Sequence, residues 1–148
     1  MEYVECPQNW VELPGQRAVF LAGGITECPD WQKEMVRRLQ MTDYVVLNPR
    51  RDHFPIGDAN AAEFQVRWEF EHLRKADMIS FWFCKEAIQP IALYELGAWS
   101  MTDKPIVVGV EPGYARALDV QIQTALIRPA VHIFSTLEDL AKEIISLR

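Results

Sequence analysis

Apolar residues along this chain gather into short continuous runs that alternate with longer stretches of helical spacing. The runs cover Ala18–Ala22, Tyr44–Leu47, Met78–Phe83, Ile106–Val110 and Val131–Phe134, each of strand length. Between and after them, apolar positions three and four apart predict helices near Trp31–Gln40, Ala62–Ala76, Pro90–Met101, Ala117–Ile127 and Leu137–Leu147. Strands that are apolar throughout, rather than at every second position, belong to a sheet covered on both faces. Alternating strands and helices connect as parallel crossovers. The expected fold is therefore α/β: a doubly wound, mostly parallel five-stranded sheet with helices on both faces, Rossmann-like or flavodoxin-like. No repeat or linker divides the chain, so residues 1–148 read as one domain, with residues 1–16 as an N-terminal leader rich in Pro, Gly and polar groups. Such sheets bind ligands outside the carboxyl ends of their strands, near the switch in strand order. That edge corresponds to Ala22–Glu27, Asn48–Asn60, Cys84–Pro90 and Glu111–Tyr114.

Composition narrows the function more than the fold. The 148 residues are 49% hydrophobic and 24% charged, enough apolar surface for a real core. A formal net charge of -6 argues against a nucleic-acid groove, which needs a basic stripe to displace counterions. No apolar run reaches membrane-spanning length and the start of the chain lacks a signal layout, so a cytoplasmic protein is expected. Cys6, Cys28 and Cys84 form no C-x-x-C pair and read as incidental thiols of a reducing compartment. His53, His72 and His132 have no metal-ligand spacing, and neither a metal nor a cofactor is expected.

Two glutamates stand out on helical wheels. With 100° per residue over the second helix, Ala62, Val66, Phe70, Leu73 and Ala76 share a face, with Glu63, Arg67, Glu71 and Arg74 opposite. Glu69 falls inside the apolar arc. On the third helix, Glu95 falls between Ile91 and Trp99. Burying an isolated carboxylate is expensive, so each must be paired, protonated or facing a site. A structural ion pair with Arg50 or Arg51 would satisfy the pattern. So would a catalytic pair, one carboxylate attacking while the other shuttles a proton, as in retaining glycosyl transfer.

The neighbouring loops offer binding candidates. Gly23-Gly24-Ile25 follows the first strand as a tight turn that allows close approach to a ligand. Asn48-Pro49-Arg50-Arg51-Asp52 ends the second strand, and its two arginines could hold a ligand or an internal carboxylate. Asp77, at the start of the third strand, reads as a structural cap.

Together these segments resemble the nucleoside 2-deoxyribosyltransferase family, from about Val19 to Val110. The likeness is carried by Val19–Ile25, by Asn48-Pro49-Arg50-Arg51, by Trp68-Glu69 through Ala76-Asp77, and above all by Tyr94-Glu95-Leu96-Gly97-Ala98. The resemblance implies that Glu95 is the nucleophile and that Glu69, where the family more often has Asp, engages the nucleobase. It further implies 2'-deoxynucleosides and free nucleobases as partners, substrate contacts from Phe20, Gly23, Gly24, Ile25, Asn48, Arg51, Asp52 and Phe54, and a homo-oligomer (a dimer or a trimer of dimers). On this reading Glu95 acts ionised and Glu69 carries the proton. Two alternatives stay open: a hydrolase of deoxynucleoside 5'-monophosphates or nucleosides, and a non-catalytic nucleotide-sensing module. The hydrolase would want a serine shortly before the nucleophile, and none lies between Cys84 and Glu95.

Overall fold

The computed structural model describes residues 1–147, apart from the Asn60 side chain. Its sheet has six parallel strands: β1 (Glu2–Glu5), β2 (Ala18–Gly23), β3 (Val45–Asn48), β4 (Met78–Phe83), β5 (Ile106–Val110) and β6 (Ile133–Phe134). Five helices follow in the expected alternation: α1 (Trp31–Leu39), α2 (Ala59–Lys75), α3 (Pro90–Ser100), α4 (Ala117–Ile127) and α5 (Leu137–Ser146). The strand order is β1-β3-β2-β4-β5-β6.

The sixth strand corrects the expected count of five. It comes from the segment read as a leader, where Glu2–Glu5 pairs in parallel with Val45–Asn48. A four-residue edge strand half open to solvent carries too little apolar signal to be read as one. The rest of that segment is built in as well, since Cys6 and Trp10 are buried in the core. The fifth apolar run shrinks to Ile133–Phe134, and α2 starts at Ala59, where the Asp58 side chain caps the Asn60 amide.

Alternate residues of each strand feed two cores, which explains their unbroken hydrophobicity. Phe20, Ala22, Ile79, Phe81 and Phe83 pack with Trp68, Leu73, Ala92, Leu96 and Val120 from α2, α3 and α4. Val19, Leu21, Met78 and Trp82 pack with Trp31, Met35, Leu39, Leu140 and Ile144 from α1 and α5. Asp77 accepts a hydrogen bond from the Ala18 amide at 2.7 Å and ties the starts of β2 and β4 together. Among the described residues, no helix is long and apolar enough to cross a membrane.

The buried face of α2 differs from the wheel. Ala61, Trp68, His72 and Leu73 are buried, whereas Val66 and Phe70 are 66% and 58% exposed. The large indole of Trp68 and the ring of His72, stacked at 3.8 Å, take the central position, so the true face is rotated away from Val66 and Phe70. Glu69 then lies at the edge of the buried face, where helix meets cleft.

His72 supplies a pH-dependent element. Its Nδ1 donates to the Trp68 carbonyl at 2.7 Å, while its buried Nε2 has no partner among the described residues. Burial holds its pKa below the ordinary 6.5. Because folding favours the neutral ring, its contribution is complete above the unfolded value and is lost as pH falls through the lower folded one. Thermal unfolding midpoints should therefore drop on acidification below about pH 6.5. The drop should be shallower in His72→Phe, and equal slopes would remove His72 as the cause.

Candidate active site

From β2 the chain first moves to β3 on one side, then returns to β4 on the other. The crevice left at the carboxyl ends of β2 and β4 is the switch point at which such sheets bind ligands. A cleft of about 560 Å³ opens there, between the loop after β2 and the N-terminal half of α3. Its walls include Phe20, Gly23, Gly24, Ile25, Pro49, Glu69, Gln89, Ala92 and Glu95.

The first wall is a tightly held turn. Gly23 has φ +154° and lies against the Trp82 carbonyl, so an added Cβ would collide with backbone. The Gly24 carbonyl accepts hydrogen bonds from Trp31 Nε1 at 3.0 Å and Gln32 Nε2 at 3.2 Å. Further along the turn, Cys28 forms a disulfide with Cys84 at the end of β4. That pairing corrects the reading of three incidental thiols, because the sheet brings together two cysteines that are 56 positions apart. Cys6 is the free one.

The second wall is the loop from β4 into α3. Gln89 sits at the helix start with φ +58°, a conformation that costs a non-glycine residue free energy. Its Nε2 offsets part of that cost by donating to the carbonyls of Cys84 at 2.7 Å and Ala87 at 3.1 Å. Tyr114 holds the same loop by donating to the Ile88 carbonyl at 2.6 Å. With Pro90 at the first helical position, α3 starts abruptly and carries Ala92 and Glu95 one turn apart on the cleft side. Ala92, Leu96 and Ser100 form its buried stripe, and Ile91, which the wheel set beside Glu95, is 65% exposed.

Glu69 reaches the same cleft from α2, and both carboxyl groups are partly buried. Burial raises Glu95 to about 8, with repulsion from the Glu69 charge adding to it. Burial also raises Glu69, but a hydrogen bond from Gln65 opposes the rise. Both shifts run toward the protonated form, so each carboxyl group holds a proton more readily than a free one does. Gln65 stabilises the charged form of Glu69, and no hydrogen bond from the described residues does the same for Glu95.

The cleft brings together only part of the expected set. Phe20, Gly23, Gly24, Ile25, Glu69 and Glu95 line it; Asn48, Arg51, Asp52 and Phe54 do not. Asn48 is buried, donating to Tyr3 Oη at 2.9 Å and accepting from the Arg50 amide at 3.0 Å. The Asp52 amide donates to Glu5 at 3.2 Å, and Arg51 stacks over Phe54 at 5.4 Å. The end of β3 thus serves the β1 edge. Nor does either arginine pair with an inward glutamate: Arg50 donates to the carbonyls of Pro29 at 2.9 Å and Cys28 at 3.1 Å. Gln65 and Gln89 were not anticipated. A glutamine four residues before an inward glutamate is a readable helical pair, so Gln65 had a signal.

No lysine, arginine or histidine lies among the described residues of the cleft wall, while Glu27, Glu69 and Glu95 do. The described residues also hold no group of three metal-ligating side chains. Fold and site define an α/β protein with two carboxyl groups facing a cleft at the switch point of a parallel sheet. The chain belongs to the family described as nucleoside 2-deoxyribosyltransferase like, whose model matches residues 16–114. No curated protein matches the sequence. Among solved structures, a conserved protein from Enterococcus faecalis V583 is similar in fold, with a TM-score of 0.65 and 17% identity over 90% of this chain and 100% of that one.

Proposed function

We propose that this protein exchanges the nucleobase of 2'-deoxynucleosides and holds the deoxyribosyl group on Glu95 between the two halves of the reaction. The observation that carries the reading is the pair itself: Glu69 and Glu95 face one cleft, both raised by burial, with no cation among the described residues acting on either. A structural ion pair would show the opposite shift.

In the first half, a Glu95 carboxylate oxygen attacks the anomeric carbon from the face opposite the base. The glycosidic C–N bond breaks, its electron pair goes to the base nitrogen, and Glu69 delivers a proton there. In the second half, a nitrogen of the incoming base attacks the same carbon and the ester bond returns its electrons to Glu95. Glu69 takes up the proton. Two inversions give net retention. Attack requires Glu95 ionised and Glu69 protonated. Ile25, half-buried in the cleft wall, offers apolar surface for the base, with the buried Phe20 ring behind that wall.

The wall chemistry favours a neutral nucleoside over its 5'-monophosphate. A cleft with three glutamates and no cation among its described residues repels a phosphate dianion, and Arg50 is already engaged with backbone carbonyls. The test is a chromatographic assay of 2'-deoxynucleosides and their 5'-monophosphates, each with and without a free acceptor base. Exchange that needs both nucleoside and acceptor is the expected outcome. Base release from the monophosphate without an acceptor would establish the hydrolase instead. A thermal shift with nucleosides but no turnover would establish a binding module.

A further inference from the structure

The carboxyl pair is tied to the scaffold through one amide. Gln65, one turn before Glu69 on α2, donates from Nε2 to the Pro49 carbonyl at 2.7 Å and to Glu69 Oε1 at 2.8 Å. Its own Oε1 accepts from Cys6 Sγ at 3.1 Å. These contacts fix which way the amide faces. A carbonyl and a carboxylate can only accept, so a flipped amide would set its oxygen against two other oxygens. On the far side, burial pushes the Cys6 thiol up to about 11, so it remains an S–H donor through the neutral range. The three partners come from three separate segments: the residues after β1, the end of β3, and α2 itself.

The consequence falls on Glu69. A neutral carboxyl accepts best at its carbonyl oxygen, so an N–H directed at Oε1 keeps that oxygen unprotonated and places any proton on Oε2. No hydrogen bond from the described residues reaches Oε2. We propose that Gln65 is the positioning residue of the pair, an amide clamped between Cys6 and Pro49 that reserves Glu69 Oε1 and presents Oε2 to the cleft as the oxygen that gives and takes the proton. This rests on the reading of Glu69 as the proton carrier. It also gives the N-terminal segment a part in the site, because Cys6 completes the clamp. The same hydrogen bond stabilises the charged form of Glu69.

Two readouts separate this role from simple packing. In the free protein, carboxyl-13C NMR of glutamate-labelled chain follows the titration of Glu69 and Glu95 without requiring turnover. Gln65→Leu, close in volume and without the amide, should move the Glu69 titration to higher pH. In base exchange the same variant should lose roughly 10- to 100-fold in kcat, the scale of a misplaced reacting group, with KM within about 3-fold and a displaced pH profile. Cys6→Ala should give a smaller shift in the same direction, and Cys6→Ser, which restores a donor, should return the titration toward wild type. These Cys6 variants decide the matter if Gln65→Leu does not fold. An unmoved Glu69 titration in the variants that fold would overturn the proposal, even if activity fell. If the wild type proves inactive, the function reading fails, while the titrations still decide whether Gln65 controls Glu69.

Discussion

Glu95→Gln should abolish base exchange while leaving the protein folded and able to bind nucleosides. The substitution keeps the side chain's size and removes the attacking oxygen, so turnover should fall on the order of 10,000-fold or more, the scale seen when a covalent nucleophile is lost. Stability should not fall with it. Glu95 is a partly buried acid raised to about 8 by burial and by the charge of Glu69, so its ionised form opposes folding. A group whose folded pKa is raised contributes stability below its unfolded value that is lost as pH rises through the folded one. A neutral amide has no such loss, so at pH 9 the variant should melt no lower than wild type. Circular dichroism melts and nucleoside titrations beside the exchange assay check each part. Exchange at more than about a tenth of the wild-type rate would remove Glu95 from the reaction.

The second large effect is expected at Glu69. Glu69→Gln cannot donate and retake a proton, and loss of general acid–base help should slow exchange by roughly 100- to 10,000-fold. The defect should depend on the leaving group. Substrates whose base departs readily as an anion should recover much of the rate, which a loss through misfolding would not allow. A second signature appears in the pH profile. With the Glu69 charge gone, repulsion no longer raises Glu95, so Glu95 ionises at lower pH and the rising limb moves to the acid side. Burial remains and is the larger cause, so the limb should stay above the ordinary carboxylate range. An unmoved limb would mean that the two groups do not share a titration.

Much of this was legible in the chain, for reasons that differ by element. Strands such as Met78–Phe83 are buried on both faces and read as unbroken apolar runs. The edge strand Glu2–Glu5 gains its order mainly by backbone pairing to β3, to which side-chain hydrophobicity is blind. Glu69 and Glu95 were visible because a carboxylate within an apolar arc breaks helical periodicity. The arcs themselves were misplaced: Val66, Phe70 and Ile91 lie outward in the chain, while Trp68 and Ala92 face the sheet. Hydrophobicity marks what dislikes water and does not rank which residue a given sheet face will accept. The end of β3 lies outside the cleft for a different reason. Asn48 and Asp52 sit at the correct edge of the sheet, but β1 occupies the flank they face. Gln89, with its left-handed backbone, and the Cys28–Cys84 pairing depend on contacts across the crevice that no local pattern records.

The central claim is a covalent sugar on Glu95, and mass spectrometry tests it most directly. The protein is mixed with a 2'-deoxynucleoside in the absence of an acceptor base, quenched in acid, and mapped by peptide. The account predicts a deoxyribosyl adduct on the peptide containing Glu95, discharged when free base is added before quenching and absent from Glu95→Gln. Base exchange that proceeds at full rate in Glu95→Gln, with no adduct on that peptide in the wild type, would contradict it.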